Sequence, residues 1–243
     1  MSHFRLWLGL SLLVLSQLAL ATKPQPAAQP MLFDNEYKTK LYGFNITVTN
    51  RLSKNSDSGY DLLFKFDSML GSITETSHLQ WDNHKKLVIP QHYVYKRRGL
   101  GKNRDADLRF DWNKKTVSNY VQKSNWQMNV VERVQDKLSY QLQLQQDFLR
   151  SDAKRVTYKI ADGGHLKEFI FEKIAEETLD TPLGKVKTIK IKRSREDDDR
   201  VTHAWLATDW NNLLVRLEQI EKGDSYTINI TKASLNGKPI EKF

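Results

Sequence analysis

Between Asn83 and Arg104 the chain carries seven basic side chains, Lys85, Lys86, Lys96, Arg97, Arg98, Lys102 and Arg104, and no acidic one. The run Gly99-Leu100-Gly101-Lys102 in their midst has the composition of a tight turn, which gathers Arg97, Arg98, Lys102 and Arg104 on one hairpin tip. Such a tip attracts phosphate or carboxylate, and arginine does so with a planar fork of N–H donors. Tyr93 and Tyr95 share one phase of the chain just before it, so aromatic surface leads into the cations. Tyr93, Tyr95, Lys96, Arg97, Arg98, Lys102, Arg104 and, further along, Trp205 are therefore the candidate ligand-binding residues. Their bland alternative is a solvated basic face with the aromatic rings in the core.

Other chemistries find less support. The glycine turn lacks the G-x-x-x-x-G-K-[ST] spacing of a phosphate loop. Cysteine is absent and no G-x-S-x-G elbow occurs, so no nucleophile is marked by its neighbours. His78, His84, His92, His165 and His203 form neither H-x-x-x-H nor H-E-x-x-H, which leaves metal-ligand spacing unmet unless strands assemble it in space. Asp197-Asp198-Asp199 lacks the alternating carboxylates and central glycine of a calcium loop and reads as a solvated turn. Paired carboxylates of the glycosidase kind leave no trace in sequence. The sequons at Asn45 and Asn229 fall inside expected strands, where a glycan fits badly. A second basic group, Lys185, Lys187, Lys190, Lys192, Arg193 and Arg195, repeats the theme of the first. No catalytic residue, metal or cofactor is assigned, and binding is expected rather than catalysis.

The elements that position these residues have a period of two. Tyr42, Phe44, Ile46 and Val48 alternate with polar or small residues, as do Tyr60, Leu62, Phe64 and Phe66, then Ala106, Leu108, Phe110 and Trp112. The alternation returns in Val156/Tyr158/Ile160, Val201/His203/Trp205/Ala207, Leu213/Val215/Leu217 and Tyr226/Ile228/Ile230. Turn residues such as Asp162-Gly163-Gly164 and Thr181-Pro182-Leu183-Gly184 separate the runs. Roughly eleven or twelve strands follow from this template. One stretch differs: Val130, Val134, Leu138, Leu142 and Leu149 recur mainly at helical intervals, without glycine or proline over about residues 130–150. This predicts one amphipathic helix, with Ser139 as the place where it would break. The fold class is thus mostly β, a long antiparallel meander forming a curved sheet or half-barrel, covered by that helix.

Residues 1–21 have a charged start at Arg5, an apolar run from Leu6 to Leu20 and Ala19-Leu20-Ala21 before Thr22, the pattern of a cleaved secretory signal. The run is about fifteen residues against the roughly twenty of a spanning helix. Residues 22–36, with three prolines among the first nine, read as a flexible segment, and 37–243 as a single β-rich domain. Without cysteine there is neither a disulfide nor an acylated anchor, so a soluble periplasmic protein is expected. The net charge of +9 then points to anionic lipid or lipopolysaccharide as partner, or to an envelope protein, and not to nucleic acid.

Four segments in order, Gln135-Asp136-Lys137-Leu138-Ser139-Tyr140-Gln141-Leu142, Asp162-Gly163, Glu177 to Thr188, and Thr202-His203-Ala204-Trp205-Leu206-Ala207, resemble the exported bacterial family catalogued as a domain of unknown function, DUF3108. The resemblance covers about Tyr37 to Leu235 and is strongest over residues 135–221. It implies an envelope location and brings no catalytic residue. Where the family usually has proline before its late apolar strand, this chain has Asn211-Asn212-Leu213-Leu214, a departure expected to loosen the turn there. The outline is similar to periplasmic lipoprotein carriers, a likeness of fold. A noncatalytic binding or carrier protein for an amphipathic envelope ligand, a lipid or lipid-linked glycan, is the function expected. An assembly partner acting by strand addition, or an envelope hydrolase with scattered carboxylates, stands as the alternative.

Overall fold

The computed structural model describes residues 29–243 except positions 42, 100, 196 and 197. The expected signal segment and Asp197 lie outside the described residues. Alternating runs become strands β1 (Phe33–Leu41), β2 (Phe44–Lys54), β3 (Tyr60–Ser68), β4 (Gly71–Asp82), β5 (Leu87–Gly99), β6 (Arg104–Asp111), β7 (Thr116–Asn119) and β8 (Trp126–Asn129). Helix α1 (Ser139–Arg150) follows. Then come β9 (Arg155–Asp162), β10 (His165–Thr181), β11 (Gly184–Arg195), β12 (Asp198–Ala207), β13 (Leu213–Glu221), β14 (Asp224–Leu235) and the short β15 (Lys238–Pro239).

All ladders are antiparallel, in the order β8-β7-β6-β5-β4-β3-β2-β1-β14-β13-β12-β11-β10-β9, with β15 beside β14. Two meanders are thus joined where the first strand pairs with the fourteenth. The sequence expectation of a curved antiparallel meander with one helix holds. The ordered domain begins earlier than residue 37, because Phe33 to Glu36 already pair with both β2 and β14 in the middle of the sheet.

The helix is shorter than expected. Residues 130–138 form turns with a single bridge instead: the Val130 N–H donates to the Lys115 carbonyl, the Val134 N–H to the Val131 carbonyl, and Gln135 exchanges backbone bonds with Lys159 and Ala161 of β9. Arg133 takes a left-handed φ of 68°, which no helix interior admits. Backbone pairing with the sheet outweighs the helical preference of those side chains. This segment ties the β6–β7 turn to β9 and brings the two edges of the open sheet together.

Asp136 sets the start of α1. Its Oδ1 accepts the backbone N–H groups of Leu138 and Ser139 at 2.7 Å each, and its Oδ2 accepts the Ser77 hydroxyl of β4 at 2.6 Å. A fully buried carboxylate thereby satisfies orphan donors of the first turn and fastens the helix to the sheet. Further along, Gln143 accepts the Val88 N–H of β5, and Asn212 donates to the Gln145 carbonyl. The helix is buried on nearly all sides: Leu142 packs with one core cluster, and Tyr140, Leu144 and Phe148 with another. It lies inside the curve of the sheet.

A second layer forms on the outer side. β10 and β11 shift register between Lys173 and Ala175, and the distal half of their hairpin lies over the outer face of β12–β14. There Arg216 donates to the Asp180 carbonyl, Trp205 Nε1 donates to Glu177, and the chain end joins through the Phe243 N–H to the Leu183 carbonyl. Trp205, Ala207 and Leu213 are buried beneath this cover, in one cluster with Leu179 and Val186 of the hairpin itself.

Candidate functional site

The antiparallel order places the β1–β2, β3–β4, β5–β6, β9–β10, β11–β12 and β13–β14 turns at one end of the sheet. A cavity of about 500 Å³ lies between α1 and the sheet and reaches toward that end. Its wall is largely apolar: Val48, Leu62, Phe64, Phe66 and Ile73 come from the first meander, and Ile191, Ala204, Leu206, Leu217 and Ile228 from the second. Several of these, including Phe64, Phe66, Leu217 and Ile228, are only half-buried. On the helix side Tyr140, Gln141, Leu144 and Gln145 complete the wall. A volume of this size, apolar and set with a few polar groups, suits one small ligand.

The polar groups are few and fixed. Arg193, near the end of β11, donates through one terminal nitrogen to the Tyr140 hydroxyl at 3.2 Å and through the other to Thr202 Oγ1 at 2.8 Å. Its guanidinium stands 5.3 Å from the centre of the Phe169 ring, and its Nε is buried without a partner. Across the cavity, Glu75 of β4 accepts the Tyr93 hydroxyl at 2.5 Å. Burial pushes the Glu75 carboxyl above the usual range, the Tyr93 hydrogen bond opposing that rise; burial and the Glu75 carboxyl together push the Tyr93 hydroxyl well up. Next to it, burial alone would raise Asp162, but Lys137 and Lys167, its partner at 2.9 Å, hold that carboxyl below its ordinary range.

The sequence candidates fall in three places. Tyr93 and Tyr95 face the inside of the curve; Tyr93 is fully buried, and Tyr95 is half-buried with the Lys137 ammonium 5.7 Å from its ring centre. Lys96, Arg97, Arg98, Lys102 and Arg104 do share the β5–β6 tip. Arg97 donates twice to the Lys102 carbonyl, at 2.7 and 3.0 Å. Arg98 is not unaccompanied: Asp105 receives it at 2.6 and 3.1 Å, and that pair lowers the Asp105 carboxyl. Gly99 is required where the tip meets its neighbour, since a Cβ there would stand 2.4 Å from the Leu70 carbonyl at a φ of +68°. Trp205 is elsewhere, on the outer face of β12 between Lys190 and Arg216. The residues of β12 that face the cavity are Thr202, Ala204 and Leu206, the opposite phase. None of the eight candidates is among the residues lining the cavity.

Arg193 and Glu75 were not singled out from sequence. A signal for Arg193 existed: it shares the phase of Ile189 and Ile191, both buried, within what looked like a plain basic run. His78 and His92 are stacked 5.4 Å apart on the outer face, each hydrogen-bonded to a carboxylate, Asp61 and Asp107. Among the described residues no group of three or more His, Cys, Asp or Glu is placed to hold a metal ion, and no helix is long and apolar enough to cross a membrane.

Sheet, inserted helix and interior cavity together define a barrel-like β protein with room for a ligand beneath its helix. The chain belongs to the family described as protein of unknown function DUF3108, whose model matches residues 45–231. The crystal structure of a beta-barrel-like protein of another domain of unknown function, DUF1849, from Brucella abortus is similar in fold. It has a TM-score of 0.57 and 10% identity over 84% of this chain and 96% of that one. A Bacteroides fragilis protein described as a candidate exported protein with a YmcC-like fold gives a TM-score of 0.31 and 14% identity, over 88% of this chain and 97% of that one; a likeness so low carries no argument. No curated protein matches the sequence.

Proposed function

We propose that this protein is an exported, noncatalytic binding or carrier protein for an amphipathic ligand of the bacterial envelope, a lipid or lipid-linked glycan. The observation that carries this reading is the apolar cavity under α1, whose half-buried Phe64, Phe66, Leu217 and Ile228 have no side chains filling the space before them. Apolar wall left in contact with water costs free energy unless something occupies it. The cationic β5–β6 tip at the same end of the sheet supplies an anion-attracting rim. Strand addition is less favoured: β8 offers four residues, and β9 already pairs with Gln135 along Lys159–Ala161.

Purified protein extracted with organic solvent and analysed by mass spectrometry is expected to release a copurified amphiphile. Ala204→Trp, which places a large ring in the cavity, is expected to release none while keeping a cooperative unfolding transition. Absence of any amphiphile from the parent, together with no binding of added lipid, would remove the carrier reading. For location, N-terminal sequencing of exported protein is expected to begin at Thr22; retained Met1 would contradict the periplasmic assignment.

A further inference from the structure

We infer that the ligand is an anionic amphiphile with a single acyl chain, whose headgroup is received by Arg193 while its chain lies along the apolar wall toward α1. This rests on the carrier reading and adds to it the class of ligand and the residue that selects it.

An arginine has five N–H donors in a fixed fork. Two of the five on Arg193 are engaged, by Tyr140 and Thr202, and both acceptors are neutral hydroxyls. Among the described residues no carboxylate lies within ion-pair distance of it, and Nε is buried without an acceptor. Three arginines elsewhere do meet a carboxylate, Arg51 with Asp34, Arg98 with Asp105 and Arg200 with Glu221, while Arg97 and Arg216 donate to carbonyl oxygens outside the cavity. A half-buried guanidinium without a protein carboxylate at the border of an apolar cavity is costly. A carboxylate or phosphate monoester supplies the missing acceptors in the bidentate geometry that the fork prefers. The same contacts hold the fork still, since Tyr140, Thr202 and the Phe169 ring fix its plane. Position agrees with this role. Arg193 stands two residues from the end of β11, with Thr202, Gln219 and Tyr226 near the corresponding ends of their strands, so on the second meander's side of the cavity four polar side chains gather at this end. The cavity volume of about 500 Å³ has room for one acyl chain.

Displacement of a fluorescent fatty-acid probe from full-length mature protein tests this, with palmitate, a lysophosphatidic acid of the same chain length and hexadecanol as competitors. The two acids are expected to compete about tenfold or more better than the alcohol, the factor expected of a charge-assisted pair. Their rank against each other separates a carboxylate from a phosphate headgroup. In Arg193→Gln that preference is expected to vanish while hexadecanol binds as before; Arg193→Lys, which keeps the charge and loses the fork, should restore part of it. Equal binding of acid and alcohol by the parent overturns the inference and leaves the carrier reading standing, and this comparison needs no variant to fold. Unchanged preference in a folded Arg193→Gln overturns it as well. If nothing binds the parent, the carrier reading itself fails.

Discussion

The β5–β6 tip carries Lys96, Arg97, Arg98, Lys102 and Arg104 in water, whereas one of the six cations of β11, Arg193, lies against Tyr140, Thr202 and the ring of Phe169. The tip has the greater charge and the weaker field. Its arginines are met by a carbonyl and by Asp105, and solvent screens the remainder within about 8 Å at physiological ionic strength. Arg193 faces an apolar cavity with donors to spare, where a single contact is worth more because less water competes for it than at the tip. The tip is thus suited to attracting an anion from a distance and the interior residue to choosing among those that arrive.

The contrast between buried and exposed charge can be broken most forcefully at Asp136. Asp136→Ala leaves the Ser77 hydroxyl and the Leu138 and Ser139 N–H groups without their acceptor inside the protein, which is expected to cost about 3 kcal/mol or more. Urea unfolding measures it; a midpoint equal to the parent's would show that α1 is held by packing alone.

A smaller effect is expected at Glu75, and its sign depends on pH. Burial raises its carboxyl in the folded chain above the ordinary value of 4.5, so the unfolded chain loses its proton first as pH rises. Its contribution to stability is whole below about pH 4.5 and is lost as pH climbs through the raised folded value. Glu75→Gln, which can still accept from Tyr93, should therefore melt higher than the parent at pH 7 and alike at pH 4. Equal melting at both values would refute the burial argument.

Least change in stability is expected at the tip. Replacing Arg97, Arg98, Lys102 and Arg104 together by Gln should leave the melting temperature where it was, since exposed ion pairs contribute little. Binding to anionic vesicles at low ionic strength should weaken, and the parent's binding should fade with added salt. Palmitate binding at Arg193, being screened less, should fade more slowly over the same range. Parallel salt dependence of the two would mean that the tip and the cavity act as one electrostatic site.

Much of this was legible in the amino-acid sequence. Alternation marked many of the strands, the turn residues marked their ends, and the order within each meander follows because short turns leave consecutive strands little choice but to pair, whereas the β1–β14 pairing that joins the two meanders was not legible. The cationic tip was legible too, because Lys96 to Arg104 are neighbours in sequence as well as in space. The helix was placed but drawn too long, since the pairing of residues 130–138 with β9 and the β6–β7 turn involves partners far along the chain.

The side of each strand that matters was decided only by tertiary structure. Trp205 and Ala207 alternate as a buried face should, and they are buried, yet beneath the folded-over β10–β11 hairpin on the outside. The cavity took the other phase, with Thr202, Ala204 and Leu206. A period of two separates two faces without telling which is covered by what, because both covers, α1 within and the hairpin without, come from elsewhere in the chain. Likewise the sequence determined that Arg193 is one cation in a basic run. Its phase, shared with Ile189 and Ile191, separates it from Lys190 and Lys192, but only the curvature of the sheet around α1 turned that face of β11 into the cavity.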